Sequence, residues 1–513
     1  MSGLVQEVNW STLTQALSED QVLVPGTEAY SKAIFVGNLN YRNTNPAVVV
    51  KARSVQDVQS AVRFANQNSV KLTVKAGGHS FMAYCLNEGG MVLDVSAMNS
   101  CHVNNDERTI QMDGGILFRD VYDKLQDNRD VAITGLCGSI GFSGFTLGGG
   151  ISPLSRSYGL GCDNLLEMTV VTAEGEVVTV SKDDQDEKKR DLFWALCGGG
   201  GGNFGVTVSM TSKMHKLRDN AGKVVSGELT WNLPQQQQAF DEAMKAFNSG
   251  KCPVELTANG VWSHGKNKQL TAGVKVIYNG NMDEAQEALE SILAHEPVEN
   301  TLKEMNWTEV SESDEGWAAD SKVYVHVASF ILPEGTITPE LTSTVNGLMN
   351  EAATAVGITD ENERNSPKCY FKWLHIGGQT SEIPSTDTAF YWRDGHYVAS
   401  MKVQWTDPTK RESILDFIAK CQDQLLPLSI EKKAAYVNYI DGAVSNWEQA
   451  YYGENYARLQ KVKTEWDSDN FFSNDQSIKP IEKTAARKTV VDVCMMARGA
   501  QIQQKITAVP VSV

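Results

Sequence analysis

Clusters of glycine constrain this chain most. KAGGHSF (75–81) sets two glycines before a single histidine, and GLCGSIGFSGFTLGGG (135–150) carries one cysteine, Cys137, 58 positions after that histidine. A third cluster, CGGGGGNFG, occupies 197–205. Glycine weakens helix and strand interiors but lets backbone come close to a ligand or to other backbone. These stretches therefore read as loops at which something is approached. Residues 200–205 match GxGxxG, but that fingerprint needs a helix directly after it, and Val206–Met210 is strand-like. A doubly wound dinucleotide fold is not expected.

Around the clusters, the first 215 residues alternate short β-branched runs with helical patterns. NPAVVVKA (45–52), KLTVKA (71–76), MVLDVSAM (91–98) and TIQMDGG (109–115) read as strands. Helices are expected over 54–69, with Ser54 as N-cap, and over 117–127. LEMTVVTAEGEVVTV (166–180) reads as a hairpin turning at Gly175. From about 216 to 435 the texture changes to separated alternating strands, such as SKVYVHVASFIL and HYVASMKVQWTD, with amphipathic helices such as 282–295 between them. That pattern predicts an antiparallel sheet covered by helices on one face. The fold class is α+β, in two or more domains, since 513 residues exceed one ordinary core.

A net charge of −17 disfavours nucleic acid and anionic membrane as partners. No stretch reaches the roughly 20 apolar residues of a membrane helix. The start, MSGLVQEVNWSTL, lacks the pattern of a secretory signal, while Asn9-Trp10-Ser11 and Asn306-Trp307-Thr308 are glycosylation triplets. The compartment is left open. Nine cysteines, at 85, 101, 137, 162, 197, 252, 369, 421 and 494, show no metal-ligand spacing, and most read as small buried hydrophobes.

In order along the chain, GGHS, the Cys137 loop, SRSYGLGCDN, DLFWALCGGGGGNFGV and a C-terminal YVNYID…YYGENYARLQKVKTEWDSDNFFSNDQSI resemble the berberine bridge enzyme-like FAD-linked oxidases. These belong to the vanillyl-alcohol oxidase superfamily, with a PCMH-type FAD-binding domain. The resemblance runs from about residue 45 to 478. It implies an FAD-binding domain over 1–215, a substrate-binding domain over 216–435, a segment over 436–478 that returns to the FAD domain, and a tail, 479–513, of unassigned role. It also implies bicovalent FAD, bonded through His79 at the 8α-methyl and Cys137 at C6. Gly77, Gly78, Ser80, Gly141, Gly144, Gly149 and Gly150 are expected to line the cofactor, each with an alternative reading as an ordinary tight turn. Asp163 and Asn164 have two readings, flavin contact and turn or cap.

Oxidising a C–OH group needs a base for the hydroxyl proton and an acceptor for hydride. The resemblance assigns the base to Tyr439, the second tyrosine of YVNYID. A phenol with a pKa near 10 needs a cation or a strong hydrogen bond to act at neutral pH. Lys402 and Gln404, two apart on an expected strand and so on one face, are the matching candidates, Lys402 to stabilise a tyrosinate and Gln404 to orient substrate. Trp392, Asp394 and His396 lie just upstream and suit a sugar pocket, with Asp394 counted among the catalytic candidates. Each of these residues also has a plain structural reading. The sequence departs from the plant pattern at Phe81 and Ile151, where tyrosine is usual, and at Lys75 and Cys197, where arginine is usual. Ile140 stands where valine accompanies oxidases and leucine dehydrogenases. The resulting expectation is an oxidase of a small molecule. It takes the anomeric hydroxyl of a mono- or oligosaccharide to a lactone, with O2 as acceptor and hydrogen peroxide as product. The alternative is an oxidase or dehydrogenase of an aromatic alcohol or specialised metabolite.

Overall fold

The computed structural model describes residues 8–126, 129–249, 252–265, 268–311, 321–358 and 365–482. Cys494 and nearly all of the tail from 479 lie outside them.

Val48–Lys51 and Leu72–Lys75 flank Met91–Asp94 as parallel neighbours, and Val22–Leu23 adds antiparallel to Val48–Lys51. The helix Val55–Gln67 makes the crossover. Ser54 caps it as expected: its Oγ accepts from the Asp57 N–H at 3.2 Å, and Asp57 accepts from the Ser54 N–H in return. Its Val58, Ala61, Val62 and Ala65 recur at helical spacing and are buried against the sheet. Leu72–Lys75 then runs directly into Gly77, Gly78 and His79.

A second, five-stranded antiparallel sheet has the order Cys101–Asn104, Thr109–Asp113, Val206–Lys213, Leu165–Val171, Val177–Ser181. Its last two strands form the hairpin turned at Gly175, whose φ is +74°. Val206–Lys213 is the strand that follows the third glycine cluster, so no helix N-terminus meets a ligand there.

The third sheet has eight antiparallel strands. Lys223–Leu233, Leu270–Tyr278, Leu256–His264, Lys368–His375, Gly395–Trp405 and Tyr324–Pro333 neighbour one another in that order, with Glu299–Asn300 and Lys303–Asn306 on the outer edge of Lys223–Leu233. Trp231, Trp262, Phe371, Trp373 and Trp405 from this sheet meet Phe240, Leu289, Val345 and Phe417 from its helices in one core. The opposite face of the sheet turns toward the rest of the molecule. The mixed α+β class, with an antiparallel sheet covered on one face by helices, is the one the patterning predicts.

Two buried polar junctions join these parts. Arg393, ahead of the strand Gly395–Trp405, grips Asp163 with two bonds of 2.9 and 2.7 Å, and both side chains are only 3% exposed. Asp163 also accepts from the Leu160 N–H at 2.8 Å, while Asn164 bonds the carbonyls of Tyr158 and Leu160. Of the two readings for these residues, the capping one holds, with an inter-sheet ion pair added. Farther along, Lys463 is buried, and its ammonium donates to Asn203 O, Asp467 Oδ2 and Phe472 O at 2.6–2.7 Å. These bonds seat the C-terminal segment on the third glycine cluster. None of the eight described cysteines is in a disulfide, and burial pushes the Cys85 thiol up to about 11 and that of Cys421 to about 12. These two fit the expectation of inert core residues. Among the described residues, no helix is long and apolar enough to cross a membrane.

Removing one partner of a buried pair strands the other charge. Asp163→Ala should therefore cost about 3–5 kcal/mol in urea unfolding. A loss no larger than the ~1 kcal/mol typical of an exposed pair would show that Arg393 finds other compensation.

Candidate active site

The first two glycine clusters meet. A Cβ placed on Gly77 would lie 2.5 Å from Gly141 N and 2.8 Å from Ser139 O, and one on Gly141 would lie 2.9 Å from Gly77 N. Real Cβ atoms do not approach backbone so closely, so glycine is required on both sides. The contact brings His79 and Cys137 to opposite sides of one hydroxyl. Ser139 Oγ is 2.9 Å from His79 Nε2 and 3.3 Å from Cys137 Sγ. His79 is half-buried, and Cys137 is 5% exposed.

A cavity of about 1460 Å³, its mouth included, opens beside this junction. Gly77, Gly78, His79, Ser80, Gly141 and Gly144 are on its wall. The cradle is the right kind. Gly144 and Gly202 line it, and a Cβ on either would meet nothing within 4 Å, so a side chain there would take up open space. Consecutive glycines at 200–202 present backbone rather than side chains along the wall, a surface suited to pyrophosphate. Tyr84 lines the cavity too. Burial, with Asp475 nearby, holds its phenol well above the usual range, so it stays protonated. The residues present fit FAD.

The opposite side of the junction carries reactive side chains. Along Gly395–Trp405, Met401, Val403 and Trp405 enter the helix-covered core, while Lys402 and Gln404 face the other way. Val327 is directly across from Lys402, and Val325 from Gln404. Val323, Val325 and Val327 pack with Phe81 and Tyr439. The Phe81 ring lies 5.8 Å from that of Tyr439, and Lys402 Nζ lies 6.0 Å from the Phe81 centroid. Phe81 is two residues beyond His79, so the structure gathers His79, Tyr439 and Lys402 around one loop. Gln404 donates to Ser366 O at 2.8 Å, which anchors the start of the neighbouring strand.

Tyr439 sits in a tight turn closed by its N–H on Tyr436 O at 2.9 Å. Tyr436 is fully engaged. Its hydroxyl accepts from the N–H groups of Gly150 and Ile151 and from Asn438 Nδ2, and burial raises its phenol far above the usual range. Of the two tyrosines, Tyr436 is the scaffold.

Three expectations need correcting. Asp394 is exposed in the turn ahead of Gly395–Trp405. Eight residues of extended chain, at ~3.3 Å each, put it roughly 26 Å from Lys402, at the far end of the strand. Its neighbours do not shape a pocket beside Tyr439 either. Trp392 is buried with its indole N–H on Ala450 O, and His396 packs near Gly377. Gly149 and Gly150 are not on the cavity wall. Their φ values of +110° and +82° make the turn that serves Tyr436. Several residues at or beside the cavity had no expectation attached. Ser139 joins the two loops, and Asn438 bonds Phe145 O at 2.8 Å. The Gly200–Gly202 run and Asn474 and Gln476 complete the wall. A run of five glycines was the available signal for the third cluster, whereas Ser139 gave none.

Comparison with known proteins follows the same outline. Residues 46–181 match the FAD binding domain family, and 435–479 match the family described as berberine and berberine like. An uncharacterised FAD-linked oxidoreductase of Bacillus subtilis, YgaK, is 28% identical over 452 residues, covering 86% of this chain and 92% of that protein. Among solved structures, the BBE-like 1 protein of Physcomitrella patens superposes with a TM-score of 0.76 at 24% identity, over 92% of this chain and 99% of that one. A variant of the grass-pollen allergen Phl p 4, described as a glucose dehydrogenase, gives 0.79 at 20% identity with the same coverage.

The two kinds of glycine should separate on substitution. Gly77→Ala forces backbone against backbone and should cost about 1–3 kcal/mol of stability together with bound flavin. Gly144→Ala, in a helix with open space before it, should keep or gain up to about 1 kcal/mol while lowering flavin content. Thermal unfolding and flavin absorbance on both variants check this, and equal stability losses would contradict it.

Proposed function

Since this chain belongs to the berberine bridge enzyme-like FAD-linked oxidoreductases, we propose that it oxidises the C–OH group of a small molecule. The favoured substrate is a mono- or oligosaccharide, oxidised at its anomeric hydroxyl to a lactone, on FAD tethered through both His79 and Cys137. The observation that carries this reading is the packing of Tyr439 and Lys402 on Phe81, two residues beyond His79. Bound FAD would supply the acceptor for hydride, and passing those electrons on to dioxygen would give hydrogen peroxide. Tyr439 takes the hydroxyl proton at its phenolic oxygen. Lys402 supplies the positive charge that favours the tyrosinate, and the carbonyl side of Gln404 orients the substrate. Phe81, Val325 and Val327 exclude water and so strengthen both interactions. In this arrangement residues 1–215 and 436–478 hold the cofactor, and 216–435 supply the substrate face.

The sugar reading draws on the structural neighbour described as a glucose dehydrogenase. A second substrate class, aromatic alcohols, is favoured by one feature, the apolar wall of Phe81 and the valines. Ile140, on the cavity wall, is the side chain placed to influence access of dioxygen.

Peroxide release in air, with sugars and aromatic alcohols offered side by side, decides between the classes. With the best substrate, Tyr439→Phe should keep its flavin yet slow anaerobic flavin reduction at least tenfold, the lower end for loss of a general base. An unchanged rate would remove Tyr439 from that role.

A further inference from the structure

We propose that Ser139 is the positioning residue for the cysteine tether, holding the Cys137 thiol and passing its proton to His79 Nε2. The inference rests on the reading above, that flavin is bonded through both residues. The thiolate is the nucleophile of cysteine, so a buried thiol reacts only when something takes its proton. Cys137 is 5% exposed, whereas His79 is on the cavity wall. Ser139 Oγ is hydrogen-bonded to both, at 3.3 Å from the sulfur and 2.9 Å from the ring nitrogen.

A hydroxyl has one hydrogen and two lone pairs, so it can accept from the thiol while donating to an unprotonated Nε2. Shifting both protons along this line leaves a thiolate that accepts from Ser139 and an imidazole protonated at Nε2. The tight contact of Gly77 with Gly141 and Ser139 keeps the three groups in register. Bond formation then balances as follows. One carbon–sulfur bond forms, one S–H and one C–H bond break, and two electrons with two protons pass to dioxygen, giving hydrogen peroxide. Ser139 is needed only for the sulfur side of this chemistry. The histidine tether uses the imidazole as its own nucleophile.

The test is peptide mapping by mass spectrometry of acid-precipitated protein, comparing the native chain with Ser139→Ala and Ser139→Thr at matched times after adding FAD in air. The native chain and Ser139→Thr should carry flavin on the His79 and Cys137 peptides alike. Ser139→Ala should keep the histidine-linked flavin and show at least a tenfold lower fraction on the Cys137 peptide. A merely structural role would lower both linkages together, and that result would overturn the inference. So would native levels of both in Ser139→Ala, with the bicovalent reading left intact. A native chain with no flavin on Cys137 would instead sink the bicovalent reading, and this inference with it. If the alanine variant does not fold, Ser139→Val against Ser139→Thr gives the same comparison, with shape held constant and only the hydroxyl removed.

Discussion

The contact between two glycine backbones, at 77 and 141, is the constraint on which the site depends. One glycine lies two residues beyond the strand Leu72–Lys75, and the other stands at the start of the helix Phe142–Leu147. Neither tolerates a Cβ, because the other's peptide occupies the space. The reward for that closeness is chemical. Two nucleophilic side chains from loops 58 residues apart come within reach of one serine hydroxyl, at the edge of a cavity partly walled by glycine backbone. Glycine therefore serves two purposes here. At 77 and 141 it lets protein meet protein, and at 144 and 202 it leaves space for a ligand.

The return of the chain's C-terminal part closes the arrangement. Burial lowers the pKa of Lys463, and the Asp467 carboxylate opposes that shift, so the ammonium keeps its charge by pairing. A buried pair is not by itself a large source of stability. Its value here is directional, since three acceptors from different stretches, Asn203, Asp467 and Phe472, converge on one ammonium. The same segment contributes Asn474 and Gln476 to the cavity wall and carries Tyr439 to the substrate side. Cofactor cradle and reacting groups are thus set by one piece of returning chain.

Much of this was legible in the residues because periodicity is local. The two-residue repeat placed Lys402 and Gln404 on one face, and that is where they lie. Ser54 announced its helix, and the strand after Phe204 ruled out a dinucleotide-binding helix there. What was lost depended on distance. Asp394 is near Lys402 in number but far in space, since extended chain separates what a helix would bring together. The strands Leu256–His264 and Lys368–His375 are harder to read from the residues for a related reason. Gly260 breaks the first pattern as a turn residue would, yet it is glycine because the Trp373 ring, from the other strand, lies 2.4 Å from where its Cβ would stand. Ser139 is an ordinary loop serine until two loops fold onto it. Gly150 resembles a cofactor glycine, but its N–H is bonded to a tyrosine hydroxyl 286 residues away.

The central claim is that His79 and Cys137 both hold flavin at this junction. The most direct measurement is to denature the native protein in acid, separate pellet from supernatant, and record where the flavin absorbance lies. The account predicts that the colour stays with the pellet and survives Cys137→Ala, but is lost when both tethers are removed together. Flavin released quantitatively into the supernatant would contradict it, leaving the cradle of glycines with a cofactor held by contact alone.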